Sequence, residues 1–315
     1  MAEMVQTHPL DLHEIRTRIA SSLSLKDLAT CARVSQDWND SFTPQLYKSV
    51  VLSKYGPSME SVERNKRYIQ RLNINRSAYE QLQSISLRDK LISSVMANSK
   101  VVILDLSYNL IESNRAQALS EVLKTNSTLV TLNLGGNSIG DNGAVALSEV
   151  LKTNSTLATL LLGGNNIGSN GAQALVKALK INSTLTSLFL HRNSIGNNGA
   201  QALSEALKTN STLTTLDLSY NLIGDNGAET LSEALMTNST LTTLHLGDNS
   251  IGDNGAQALS EALKTNSTLT TLDLSYNLIG DYGAEALSET IKTNSTLIDL
   301  ILDDPPSLTL APDAL

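Results

Sequence analysis

The order of apolar and polar positions changes character once along the chain. From residue 98 onward one pattern returns at a fixed period. Asn-Ser recurs at Asn98, Asn126, Asn154, Asn182, Asn210, Asn238, Asn266 and Asn294, 28 residues apart each time. The unit reads approximately NSTLTTLDLSYNLIGDNGAEALSEALKT, with seven complete units over 98–293 and an eighth that stops after its strand near Asp304. Self-similarity of this length is the mark of stacked supersecondary units, here called coils. In the coil that begins at Asn126, Leu132 and Leu134 stand two apart, with Thr131, Asn133 and Gly135 on the other face. That spacing predicts a strand. Asn137 falls in the following bend, and its equivalents are Asn109, Asn165, Asn193, Asn221, Asn249 and Asn277. A side-chain amide there can bond the backbone of the neighbouring coil, so stacked Asn residues form a ladder. Ile139 closes the corner, Asp141 reads as a helix N-cap, and Ala144, Leu147 and Leu151 share one helical face. The small Gly143 and Ala144 are expected to let the helix lie close to its strand. One coil cannot bury both of its own edges, whereas stacked coils bury a continuous Leu/Ile core.

This pattern closely resembles leucine-rich repeats of the ribonuclease-inhibitor type. The resemblance implies an α/β solenoid, a horseshoe of 28-residue strand–helix repeats, with parallel strands on the concave face and helices on the convex one. The ends of the array differ from its middle. In the first coil Glu112 and Arg115 replace two glycines, as expected of a terminal coil. Upstream, Tyr68–Ala97 reads as a divergent coil, and downstream Pro305-Pro306 break the pattern before a short closing segment, 305–315. Asn-Ser-Thr also matches a glycosylation acceptor, but the triplet explains itself as the helix-to-strand turn. The repeated glycines lack the Gly-Lys-Ser/Thr of a phosphate loop and follow the coil period, so they read as structural.

The front segment, 1–52, follows helical rather than repeat spacing. Leu12, Ile15, Ile19 and Leu23 fit one helix; Ser24 with Asp27 starts a second carrying Leu28, Cys31 and Ala32; Thr43-Pro44 opens a third. Three short helices form a core too small to stand alone, so the segment is expected to depend on a partner or neighbour. These residues resemble an F-box. The family pattern is matched by Leu12-His13-Glu14-Ile15, by Leu23 with Asp27-Leu28, by Val34-Ser35 with Trp38, and by Leu46-Tyr47. His13 stands where the family has proline, and Tyr47 replaces its second aromatic. The resemblance implies a small all-α module in which Leu12, Ile15, Leu28, Val34 and Trp38 divide between the core and a surface for the Skp-family linker protein of a cullin ubiquitin ligase. Residues 53–97 then read as a connector and divergent N-terminal cap of the repeats, which run over 98–304. The order F-box, connector, repeats is also that of F-box adaptors of ubiquitin ligases, notably fungal ones.

Charge separates the same two regions. Residues 1–97 carry 13 Lys/Arg and 10 Asp/Glu, and residues 98–315 carry 10 and 21. An acidic array repels phosphate backbones, so nucleic acid is not an expected partner. No apolar run has signal-peptide or membrane-spanning length, and the single cysteine excludes a disulfide framework. The expectation is a soluble protein of the cytoplasm or nucleus with no membrane partner. Eight Tyr, two Phe and one Trp are few for this length, so aliphatic residues must fill the interior.

Candidate chemistry is sparse. Four histidines and one cysteine occur without metal-protease, nucleophile-elbow, Walker or Cys-x-x-Cys spacing, so no catalytic residue, cofactor or metal site is assigned. Cys31 reads as a small buried hydrophobe, and the helix column Glu121, Glu149, Glu205, Glu233 and Glu261 as a solvated face. The informative residues break the repeat on the strand face. The column between the paired leucines is Asp105, Asn133, Leu161, Phe189, Asp217, His245, Asp273. The next is Ser107, Gly135, Gly163, His191, Ser219, Gly247, Ser275, and the one after is Tyr108, Gly136, Gly164, Arg192, Tyr220, Asp248, Tyr276. Leu161 and Phe189 are expected as an exposed apolar pair beside His191 and Arg192. Asp217, His245, Asp248 and Asp273 with Tyr220 and Tyr276 form a second group. Aromatics and Arg on a rigid surface are the residue types of protein–protein hot spots; drift after recent duplication explains the same breaks. Asp217, His245 and Asp273 also hold metal-ligand atom types, but read better as a solvated charge ladder. The leading functional expectation is a non-catalytic adaptor that recruits a ligase through its front module and a substrate protein through the strand face. A repeat scaffold with a helical cap, and a regulator resembling the GTPase activators of the Ran family, are the other readings.

Overall fold

The computed structural model describes residues 44, 46–53, 57, 59–75, 94 and 100–302. The chain divides into two compact units after Asp105.

In the first unit, β1 (Ser49–Leu52) leads to α1 (Met59–Asn65), a 3-10 turn (Lys66–Tyr68), β2 (Arg71–Ile74) and β3 (Ile103–Asp105). The three strands are parallel, with Val50 opposite Leu72 and Leu72 opposite Leu104. Val50, Leu52, Leu72, Ile74 and Leu104 are buried together with Val62 and Ile69. A strand–helix element therefore precedes Tyr68, where the sequence places the start of the divergent coil. Pro44 and Leu46 are helical, which fits a helix opened by Thr43-Pro44.

The second unit alternates helix and strand: α2 (Ser113–Leu123), β4 (Thr131–Asn133), α3 (Gly140–Leu151), β5 (Thr159–Leu161), α4 (Ser169–Leu179), β6 (Ser187–Phe189), α5 (Gly196–Leu207), β7 (Thr215–Asp217), α6 (Asp225–Leu235), β8 (Thr243–His245), α7 (Asp253–Leu263), β9 (Thr271–Asp273), α8 (Asp281–Ile291) and β10 (Asp299–Ile301). Strands β4 to β10 pair in parallel and in chain order, each coil in register with the next, so Leu132 faces Leu160 and Leu160 faces Leu188. The leucine pair of each inner strand (Leu132 and Leu134, Leu216 and Leu218) is wholly buried, and Ala144, Leu147 and Leu151 of α3 close over it. Strands stack about 4.8 Å apart while helices need about 8–10 Å. The strands of this unit therefore line its inner side.

Two asparagine ladders tie the coils. Asn165 is fully buried; its Oδ1 accepts from the backbone N–H groups of Asn137 and Ile139 in the preceding coil, and its Nδ2 donates to Leu134 O and Leu162 O. This is the ladder expected in the bends. The second uses the Asn of the Asn-Ser-Thr triplets. Asn238 is 6% exposed, its Nδ2 donates to Leu207 O at 2.8 Å, and its Oδ1 accepts from Leu241 N. The nitrogen that a glycan would modify is thus engaged inside the fold, in agreement with the structural reading of the triplet.

Two expectations are corrected. Asp141 does not cap its own helix: its Oδ1 accepts from Gly168 N at 2.7 Å and Gly171 N at 3.0 Å, the start of α4 in the following coil. Asn197, Asp225 and Asp253 repeat this reach. A helix start leaves backbone N–H groups unpaired, and here the preceding coil satisfies them. Gly143, in turn, makes room for neighbours other than the strand. A Cβ there would lie 2.0 Å from Ile139 Cγ2 and 3.1 Å from Ala116 Cβ of the preceding helix, so the small column serves corner and helix–helix packing.

Candidate functional site: the strand face of the repeat array

Between the buried leucines of each strand one side chain points to the open face. Leu161 and Phe189 face each other across β5 and β6. Both are half-buried rather than exposed. His191 lies over the preceding coil, where a Cβ on Gly163 would fall 2.3 Å from its Nε2. On its other side, His191 Nδ1 stands 3.1 Å from Asp217 Oδ2, within ion-pair range but off the line of a hydrogen bond. Burial pushes the Asp217 carboxyl up; His191 and the Ser219 backbone N–H outweigh it and hold Asp217 below its ordinary value. Two coils further along, His245 and Asp273, in the column between the leucines, form a second such pair at 3.6 Å, and Asp273 also accepts from Ser275 Oγ. The group at Asp217, His245 and Asp273 is therefore a chain of neighbour-to-neighbour pairs. Among the described residues, no three carboxylate, imidazole or thiol side chains are placed to share a metal ion.

The outer column is different. Tyr108, Arg192, Tyr220, Asp248 and Tyr276 all have φ between 52° and 58°. This left-handed conformation costs an ordinary residue about 1–2 kcal/mol. In two coils glycine takes the position, Gly136 and Gly164, at φ 68° and 67°. The side chains that accept the strain stand at the rim where strands end. Arg192 places its guanidinium 4.9 Å from the centre of the Tyr220 ring. The Asp248 carboxylate beside the Tyr220 hydroxyl pushes its pKa above the ordinary value. Leu222 and Leu278 of the same rim, and Tyr282 in the first turn of α8, are among the most exposed large apolar residues. Sequence reasoning passed over Leu222 and Leu278, although both follow the Tyr-Asn step that marks the rim.

The residues singled out in the front segment, Leu12, Ile15, Leu28, Val34 and Trp38, lie outside the described residues. That segment is nonetheless placed by comparison: a family profile described as F-box-like matches residues 13–53. A second, described as Leucine Rich repeat, matches 125–148, 153–176, 182–204, 209–232, 237–260 and 265–288. The protein is an F-box/leucine-rich-repeat chain. Both modules of this F-box/leucine-rich-repeat protein are legible in its residues, and the profile's repeats keep the phase of the coils.

The F-box/leucine-rich-repeat chain is similar to several solved structures. An internalin from Listeria monocytogenes shares 19% identity at TM-score 0.48, covering 90% of this chain and 91% of that one. The actin-binding site 2 structure of leiomodin-1 shares 23% at TM-score 0.41, covering 48% and 87%. The tropomodulin C-terminal domain of Caenorhabditis elegans shares 11% at TM-score 0.38, covering 57% and 92%. No curated protein matches the chain. Among the described residues, no helix is long and apolar enough to cross a membrane.

Proposed function

We propose that the protein is a non-catalytic adaptor of a Skp–cullin–F-box type ubiquitin ligase. The front module recruits the Skp-family linker, and the strand face of the repeats receives the substrate protein. The observation that carries this reading is the presence of an F-box-like domain and leucine-rich repeats in one chain. Such a chain does no bond chemistry; it raises the effective concentration of one bound protein near the enzyme bound at its other end. Leu12 and Ile15 supply part of the linker surface. On the strand face, Leu161 and Phe189 form an apolar centre with His191, Arg192 and the Asp217, Tyr220, His245, Asp248, Asp273 and Tyr276 group around it. The working site is cytoplasmic or nuclear, where such ligases act.

The test is a pull-down of the purified full chain by a purified Skp-family linker. Binding is expected, and Leu12→Asp with Ile15→Asp should abolish it by placing unpaired charge in an apolar contact. Absence of binding by the unsubstituted chain, or retained binding by the doubly substituted one, turns the reading to a repeat scaffold.

A further inference from the structure

The outer face of the helices keeps two charged columns in nearly every coil. One is Glu121, Glu149, Glu205, Glu233, Glu261 and Glu289; the other is Lys124, Lys152, Lys180, Lys208, Lys264 and Lys292. Five Glu–Lys pairs close three residues apart, as Glu205 and Lys208 do at 2.9 Å. Lys208 also reaches Glu233 of the next coil at 3.3 Å, where Met236 stands in place of that coil's own lysine. The coil of α4 breaks both rules. Lys177 takes the glutamate position, so Lys180 has no carboxylate three residues before it, and Ile181 stands where the other six coils have threonine. Lys177, Lys180 and Ile181 are all exposed, Ile181 by 62%. Residues three and four apart are neighbours on a helix surface, so these three form one patch. Lys152 extends it: Lys152 and Lys177 are 25 positions apart in adjoining coils, the relation in which Lys208 meets Glu233. Two ammonium groups thus occupy positions that elsewhere make an ion pair. Glu149 answers Lys152, and Lys180 adds a smaller pull to that of Lys208 on Glu205. Among the described residues, no carboxylate stands in ion-pair range of Lys177. The carbonyl end of α4, whose last turn holds Lys177, attracts a cation and offsets part of the repulsion.

We propose that this outer patch of α3 and α4 docks a short acidic segment of a partner protein. Its carboxylates pair with Lys152, Lys177 and Lys180, and an apolar side chain among them rests on Ile181. Charge selects the occupant, because the fold's own answer to an ammonium in these columns is a carboxylate. Length is selected as well. Residues 98–315 carry 21 Asp/Glu against 10 Lys/Arg, so a long polyanion or an anionic surface would meet the flanking glutamates. At physiological salt charges are screened beyond about 8 Å, so a short acidic segment feels the lysines and little else. This is a second interaction surface, on the helix side of the coils, and it depends neither on the strand face nor on the ligase reading.

The experiment titrates the full chain with two fluorescein-labelled peptides, one of glutamates around a central leucine and one with glutamine at those places. The glutamate peptide is expected to bind about tenfold more tightly, the sum of several exposed ion pairs. Lys177→Glu should weaken it about tenfold while keeping the fold, since the other six coils carry glutamate there and Lys180 then gains its usual partner. Ile181→Thr, which restores the residue of the other six coils, should weaken it about threefold. Lys264→Gln, in a coil with the regular pattern, should leave the affinity as it is. Equal affinity for the two peptides, unchanged binding after Lys177→Glu, or no peptide binding at all would overturn the proposal. So would vesicles containing phosphatidylserine that bind as tightly as the peptide. Self-association of the full chain that Lys177→Glu abolishes, measured by sedimentation, would assign the patch to a second copy and overturn it too.

Discussion

Asp225 Oδ1 lies 2.7 Å from the backbone nitrogen of Gly252, a residue of the following coil, and not against its own helix. The same oxygen accepts from Gly255 N at 3.0 Å. A Cβ on Gly255 would fall 2.8 Å from that oxygen, so glycine at this position admits the carboxylate. The coils that carry Asp141, Asn197, Asp225 and Asp253 thereby satisfy the helix start of the next, and stacking is secured by hydrogen bonds at a place where a single coil would be deficient.

Asp225→Ala is therefore expected to destabilise the array by about 1–2 kcal/mol, the usual cost of losing a side-chain cap. Asp225→Asn should cost much less, because Asn197 makes the same two bonds in the coil before. Urea midpoints of the three proteins check this. Equal losses from both substitutions would show that charge, not hydrogen bonding, matters there.

The strand phase is testable in neighbouring residues. Leu216 is wholly buried and Thr215 faces the open side, half-buried. Leu216→Ala should cost about 2–5 kcal/mol. Thr215→Ala should stay within about 0.5 kcal/mol. Thermal or urea unfolding measured on both is sufficient, and similar losses would contradict the phase.

Asn165 connects two coils through backbone groups that have no access to water. Asn165→Ala leaves the N–H groups of Asn137 and Ile139 without this acceptor, at an expected cost of about 2–4 kcal/mol. Asn142→Ala, on the exposed side of α3, should be nearly silent. Hydrogen exchange at Asn137 and Ile139 should speed up in the first variant only.

Asp217 carries a pH dependence whose sign follows from its surroundings. Its carboxyl titrates below its ordinary value in the fold, so the stability it contributes is present above the unfolded value near 3.8 and is lost as pH falls through the folded value. Asp217→Asn should therefore be less stable than the parent at pH 6, with the difference shrinking towards pH 3. Denaturant midpoints at the two pH values measure it; a difference that grows on acidification would reverse the assignment.

What the sequence by itself determined is the part of the fold that depends on residue type at a fixed interval. The 28-residue period, the strand leucines, the Ala–Leu helix face and the Asn137 ladder follow because each such position has one physical solution when identical coils stack. The F-box-like module was legible from spaced Leu, Ile, Val and Trp positions, and the profile match at 13–53 agrees. Direction of reach was not legible. Whether Asp141 serves its own helix or the next, and whether His191 rests on the strand before it while pairing with Asp217 after it, depends on how coils stack in space. The same holds for exposure: Phe189 and Tyr276 look equally outward in the alternation, yet the first is half-buried between strands and the second is 68% exposed at the rim. Periodicity states which residues share a face, whereas the left-handed turn at the strand end, set by stacked backbones, decides which of them meet solvent.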